Sequence, residues 1–143
     1  MSAPIATRRF LSVPRERVFD AFVDAGKLAR WWGPKGFRNT FHEFSPVPGG
    51  AWTYTMHAPD GTDFLNKSVF VELTRPSRVV IDHLEPMHRF LWTVDLAEKD
   101  GGTELSLRME FEDPAEADRV GAFVAEANER NLDRLEAVLR ENA

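Results

Sequence analysis

The sequence contains no cysteine, which removes a disulfide framework, thiolate catalysis and a cysteine-ligated zinc site together. That composition is compatible with a reducing cytoplasm, where the chain is expected to reside. Positive charge is also scarce: 18 Lys and Arg stand against 23 Asp and Glu, a net charge of −5. No basic cluster interleaves with aromatics, so the electrostatic footprint of a nucleic-acid binder is missing. Long apolar runs are absent as well. No window approaches the ~18 consecutive apolar residues of a membrane-spanning helix, and MSAPIATRRFLSVPRERVF at the N-terminus lacks the apolar core of a signal peptide. Neither nucleic acid nor membrane is expected as a partner. At 143 residues the chain is expected to form one domain, 1–143, around one core.

Catalytic motifs are equally missing. The four histidines, His42, His57, His83 and His88, show no i, i+4 pair on a helix and no HExxH. His42 and His57 fall on strands without an evident carboxylate partner, so no metal site is expected. Asp82-His83-Leu84-Glu85 is the densest titratable patch. Strand neighbours face opposite ways, so Asp82 and Glu85 cannot both serve His83 without a bulge, and His83 reads as a polar cavity group rather than a base. Ser45, Ser68, Ser77 and Ser106 lie in no GxSxG elbow. Gly49-Gly50 and Gly101-Gly102 sit between strands and read as hairpin glycines, not as a phosphate cradle. No catalytic residue and no cofactor follows from these patterns.

What is present is clearest at the C-terminal end, where Pro114 to Asn142 reads as one long helix. Asp113 supplies a cap, Pro114 takes the first helical position, and Glu116 completes a box-like first turn. Val120, Phe123, Val124, Ala127, Leu132, Leu135, Val138 and Leu139 share one half of the helical wheel, whereas Glu126, Glu129, Asp133, Glu136 and Arg140 share the other. Pairs such as Glu126 with Arg130, and Arg130 with Arg134, read as a solvated face. Asn128 and Asn131 interrupt the apolar arc. A buried amide without partners costs about 1–3 kcal/mol, so these two either bond neighbouring backbone or face water or a ligand.

Before that helix, Ile5 to Val13 reads as a strand and Pro14 as the start of a helix carrying Val18, Phe19, Phe22 and Val23. Asp24-Ala25-Gly26 reads as a break, and Lys27 to Trp32 as a second short helix. Trp31 and Trp32 are adjacent there and cannot face the same core position, so one of them belongs at a cavity mouth, in a dimer contact or flat on its own surface. Gly33-Pro34-Lys35-Gly36 punctuates the chain before strands at about Thr40 to Phe44, Ala51 to Ala58, Leu65 to Thr74, Val79 to Leu84, Arg89 to Glu98 and Thr103 to Glu112. The junctions, Glu85-Pro86 among them, carry turn chemistry. Phe90, Trp92, Val94 and Leu96 share a face with Leu105, Leu107, Met109 and Phe111, while Arg89, Asp95, Glu104, Arg108, Glu110 and Glu112 face the other way. Trp52, Tyr54 and Met56 share a face, as do Val79, Ile81 and His83. The apolar partner large enough for such a face is the C-terminal helix, with the helix pair plugging one end.

This order is similar to the α+β helix-grip fold of the START-like (SRPBCC, Bet v 1-like) superfamily, in which a curved antiparallel sheet of six or seven strands wraps a long C-terminal helix. RERVFDAFVDAGKLARWWGPKGF, the PGGAW and APDGT turns, VFVELTRPSRVV, DGGTELSLRM and NLDRLEAVL resemble, from about Arg8 to Leu139, the family named for activation of the ninety-kilodalton heat-shock protein ATPase. Many relatives have a tryptophan four residues before the leucine matching Leu132, where this chain has Asn128.

The resemblance implies a cavity between sheet and helix for a small hydrophobic or amphipathic molecule. On the residue patterns its ligand-binding wall would comprise Trp52, Tyr54, Met56, His83, Trp92, Met109, Phe123, Asn128 and Asn131, apolar with a few polar anchors; the competing reading is that these side chains fill the interior. Two other functions accompany that expectation. One is a cochaperone-like or stress-response interaction module with a chaperone, or a second copy in a homodimer, as partner. The other is a cyclase- or dehydratase-like enzyme moving protons with His83, Tyr54 and Asn131.

Overall fold

The computed structural model describes residues 4–33, 35–85 and 89–141. The chain runs through β1 (Ile5–Leu11), α1 (Arg15–Val23), α2 (Ala25–Trp31), β2 (Arg38–Phe44), β3 (Ala51–His57), β4 (Asp63–Thr74), β5 (Arg78–Glu85), β6 (Phe90–Lys99), β7 (Gly102–Phe111) and α3 (Pro114–Glu141). The strands form one antiparallel sheet in the order β1-β7-β6-β5-β4-β3-β2. Its consecutive hairpins follow from the turn residues at each junction, and β1 joins the far edge by pairing with β7. Register shifts between Phe41 and Glu43, Lys67 and Ser68, and Phe70 and Glu72 mark bulges, which bend the sheet. The result is the expected curved seven-stranded helix-grip architecture. Pro34, Pro86 and Asn142, named in the sequence reading as turn and helix-end residues, lie outside the described residues.

The two short helices differ in detail from the expectation. Pro14 is the cap rather than the first helical residue, with an extended backbone (φ −61°, ψ 147°). Asp24 does not break the pair so much as start the second helix: its Oδ1 accepts from Lys27 N at 3.0 Å, so Gly26 lies inside α2. At α3 the expected cap holds, with Ala115 N donating to Asp113 Oδ1 at 3.0 Å.

The core lies between the concave sheet face and the helices. Phe22, Leu28, Trp31, Trp52, Phe70, Leu105, Leu132 and Leu135 are fully buried, and alternation along β6 and β7 places Trp92, Val94, Leu96, Leu105, Leu107 and Met109 inward as expected. α3 approaches β1, β7, α1 and α2 closely, and its backbone stands away from β3, β4, β5 and β6. That offset positions the site. A cluster of rings fills part of the gap: Trp32 lies 4.9 Å from both Trp52 and Trp92, and Phe22 lies 4.9 Å from Trp31.

At the β6–β7 hairpin, Gly102 packs so tightly under β1 that an added Cβ would stand 2.4 Å from Leu11 O and 2.7 Å from Phe10 Cζ. Because the nearer atom is backbone, Gly102→Ala is expected to cost about 1–3 kcal/mol, read as a lower urea midpoint at unchanged slope. An unchanged midpoint would show that β1 yields freely.

Candidate functional site

In the gap between α3 and strands β3 to β6 lies a cavity of about 300 Å³, at the small end of ligand pockets, which span about 300–1,000 Å³. Eight of the nine residues expected in its wall line it: Tyr54 and Met56 from β3, His83 from β5, Trp92 from β6, Met109 from β7, and Phe123, Asn128 and Asn131 from α3. Trp52 does not. It is wholly buried behind the wall, stacked on Tyr54 at 4.4 Å and on Phe70 at 5.8 Å. Depth along a strand depends on which neighbours crowd in, and Phe41 and Phe44 of β2 close over Trp52.

The sequence reading missed other lining residues, notably Gly33, Phe64, Asn66 and Phe90, and left open which of Trp31 and Trp32 would reach the cavity; it is Trp32. Alternation along β4 carries the signal for Phe64 and Asn66, which share a face with Ser68; Trp32 depends on the bend after α2, which no local pattern encodes. Phe123 is 74% exposed and Phe64 37% exposed. Both line the cavity while reaching solvent, so they form its rim. Phe123 is therefore not on the core, contrary to the helical wheel: Ala117 and Val124 take the inward positions of this half of α3, and Phe123 stands at the edge of the cavity that separates the helix from strands β3 to β6.

Besides the Tyr54 phenol and the Trp32 indole, four polar side chains interrupt this apolar wall. Asn66 Nδ2 donates to Phe64 O at 2.9 Å, which turns its Oδ1 toward His83 Nε2 at 3.0 Å. His83 also lies flat on Phe90, ring centroids 4.5 Å apart. Asn128 Nδ2 donates to Met109 Sδ at 3.2 Å, a weak acceptor. Asn131 is 8% exposed, and neither end of its amide has a hydrogen-bond partner among the described residues. Among the described residues neither asparagine bonds neighbouring backbone. Among the described residues, no Asp, Glu, Lys or Arg lines the cavity.

One wall is held by a cation that the sequence reading placed on a solvated face. Arg134 Nη1 donates to Trp32 O at 3.0 Å and Gly33 O at 2.8 Å, and Nη2 to Arg30 O at 2.8 Å and Phe37 O at 3.2 Å. These are carbonyls that the end of α2 and its exit leave without helical donors, and α3 supplies them through this one side chain, with Asn39 Nδ2 of β2 a second donor to Trp32 O at 2.9 Å. Partial burial lowers the Arg134 pKa, by desolvation. Gly33, fixed by this clamp at φ +90°, lines the cavity where a Cβ would stand 2.5 Å from Met56 Cε.

With this geometry in view, comparison with known proteins places the fold. The sequence profile of the family described as Activator of Hsp90 ATPase homolog 1-like protein matches residues 12–140. The chain belongs to that family. Among solved structures it resembles a protein from Chromobacterium violaceum at 26% identity, covering 95% of this chain and 96% of that one with a TM-score of 0.81. A protein from Nitrosomonas europaea matches at 19% identity, over 98% and 96% of the two chains, with a TM-score of 0.87. The AHSA1 protein from Silicibacter pomeroyi matches at 21% identity, over 99% and 100%, with a TM-score of 0.79. No curated protein matches the sequence.

In this member of the Activator of Hsp90 ATPase homolog 1-like family, both tryptophans of the WW pair are buried. Trp31 Nε1 donates to Ala21 O at 2.9 Å, and Trp32 Nε1 to Tyr54 Oη at 3.0 Å. Trp32 is thus the one that reaches the cavity, as a wall residue rather than an exposed contact. Burial pushes the Tyr54 phenol well above its ordinary value, outweighing the bond from Trp32. Tyr54 is the chain's single tyrosine, so its titration is directly visible. A group whose folded pKa is raised contributes stability below the unfolded pKa, about 10, that is lost as pH rises beyond it. Phenolate absorbance in alkali is therefore expected to appear only as circular dichroism reports unfolding; ionisation near pH 10 in a folded protein would contradict the burial argument.

The remaining histidines lie elsewhere. His57 Nδ1 lies 2.7 Å from Asp63 Oδ1, correcting the expectation that it has no carboxylate: β4 begins two residues earlier than the pattern indicated, and antiparallel register sets Asp63 opposite His57. His42 Nε2 meets Thr55 Oγ1 at 2.7 Å. Asp82 pairs with Arg89, and Glu85 with Lys67, so neither serves His83 through these contacts. His88 lies outside the described residues. Among the described residues no cluster of three acidic or histidine side chains is arranged to hold a metal ion, and no helix is long and apolar enough to cross a membrane.

Proposed function

We propose that the whole chain acts as one helix-grip domain that binds a small hydrophobic or amphipathic molecule in the cavity between the sheet and α3, without catalysing a reaction on it. The observation that carries this reading is Asn131, a side chain more than nine-tenths buried, unpartnered among the described residues, in the wall of an apolar cavity of about 300 Å³. An unsatisfied buried amide costs about 1–3 kcal/mol, and a ligand with a polar head removes that cost while its apolar body leaves water at about 25 cal/mol per Å². The enzyme alternative is less well supported. It assigns proton transfer to His83, Tyr54 and Asn131, yet burial raises the Tyr54 pKa and makes the phenol a weaker acid, His83 is engaged by Asn66 and Phe90, and an amide does not titrate.

The test is titration with Nile red, an uncharged dye whose emission shifts blue in apolar surroundings. Saturable binding near one equivalent, displaced by a non-fluorescent hydrophobic competitor, is expected. Absence of any displaceable binding would remove the reading.

A further inference from the structure

We infer that the cavity selects uncharged amphipathic molecules, headed by a hydroxyl, carbonyl or amide, and rejects carboxylates and ammonium ions carried on the same hydrocarbon body. The inference rests on the binding reading above and specifies its ligand class. Among the described residues, every polar group in the wall is uncharged amide, phenol or indole, apart from the imidazole of His83, which Asn66 and Phe90 already engage. An ion entering such a wall loses its hydration without gaining a counter-charge, a penalty that an uncharged head avoids.

The charges nearest on α3 are committed elsewhere. Arg134 spends both terminal nitrogens on four backbone carbonyls. Glu129, Asp133 and Glu136 turn to Arg9 on β1. What remains is a pair of amides three residues apart, whose Cβ atoms on one helix face lie about 5–6 Å apart, so a single ligand oxygen can lie between them. Asn128 holds its proton against a thioether, which a hydroxyl or carbonyl oxygen outcompetes. Among the described residues Asn131 Oδ1 is buried without a partner and its Nδ2 makes no hydrogen bond, and the terminal torsion is broad and roughly two-fold, so it offers either a donor or an acceptor.

A matched naphthalene series separates this from the parent reading. 2-Naphthol, 2-acetylnaphthalene, 2-naphthoate and 2-naphthylmethylammonium share one bicyclic body and differ in the head. Displacement of Nile red from the full chain at neutral pH is expected to rank at least one of the two uncharged compounds about tenfold or more above both ions. If either ion binds as tightly as the better uncharged compound, the charge selection is overturned while cavity binding stands. If neither Nile red nor any of the four binds, both readings fall together.

Discussion

Arg134→Met is expected to lower the stability of the protein by about 2–4 kcal/mol, a fall of roughly 5–15 °C in melting temperature for a chain of this size. Methionine keeps most of the apolar stem but none of the N–H groups that reach Arg30, Trp32, Gly33 and Phe37. Those carbonyls sit where α2 ends and the chain turns toward β2, so their loss frees the segment that presents Trp32 and Gly33 to the cavity. Dye affinity is therefore expected to fall with stability. The figure is held below that for a fully buried charge because Arg134 is partly solvated and water replaces some of the lost donors. Arg130→Met is the control: Arg130 is exposed and pairs with Glu126 on its own helix, and its loss is expected within about 0.5 kcal/mol. Equal melting temperatures for the two variants would show that the clamp contributes nothing.

The second large effect is expected at Asn131, and here binding and stability move in opposite directions. Asn131→Leu replaces an unpartnered buried amide with hydrocarbon of similar size, so thermal stability is expected to hold or rise. Affinity for ligands with a polar head is expected to weaken by about 1–3 kcal/mol, as the group that would satisfy that head is gone. Calorimetry on 2-naphthol, set beside differential scanning of the same variant, measures both. A sharp fall in melting temperature with unchanged 2-naphthol affinity would identify Asn131 as a core fastener and leave the cavity without its anchor.

The order of elements was legible because each carries its own local signal. Turn residues at every junction bound the strands, so their ends fall within two residues of expectation, and the alternation of Trp92, Val94 and Leu96 assigns the inner face. The cap at Asp113 and the apolar arc from Leu132 to Leu139 likewise need only helical periodicity. Asn128 and Asn131 announced themselves by interrupting that arc, and both are buried.

Periodicity says which way a side chain points and nothing about what stands opposite. Trp52 and Tyr54 point the same way from β3, yet Phe41, Phe44 and Phe70 bury the first behind the wall while the second faces the cavity. Phe123 belongs to the apolar arc and is nevertheless exposed, since Ala117 and Val124 take the inward positions of that half of α3 and leave Phe123 at the rim of the cavity. Arg134 follows the charge pattern of a solvated face, and only the arrival of the α2 terminus beside it gives the guanidinium four carbonyls to hold. The sequence by itself determined the elements, their faces and the family, because those are encoded within a few residues of one another. The existence of the cavity, its rim and its clamp was decided by tertiary structure, because each depends on the distance between segments far apart in the chain.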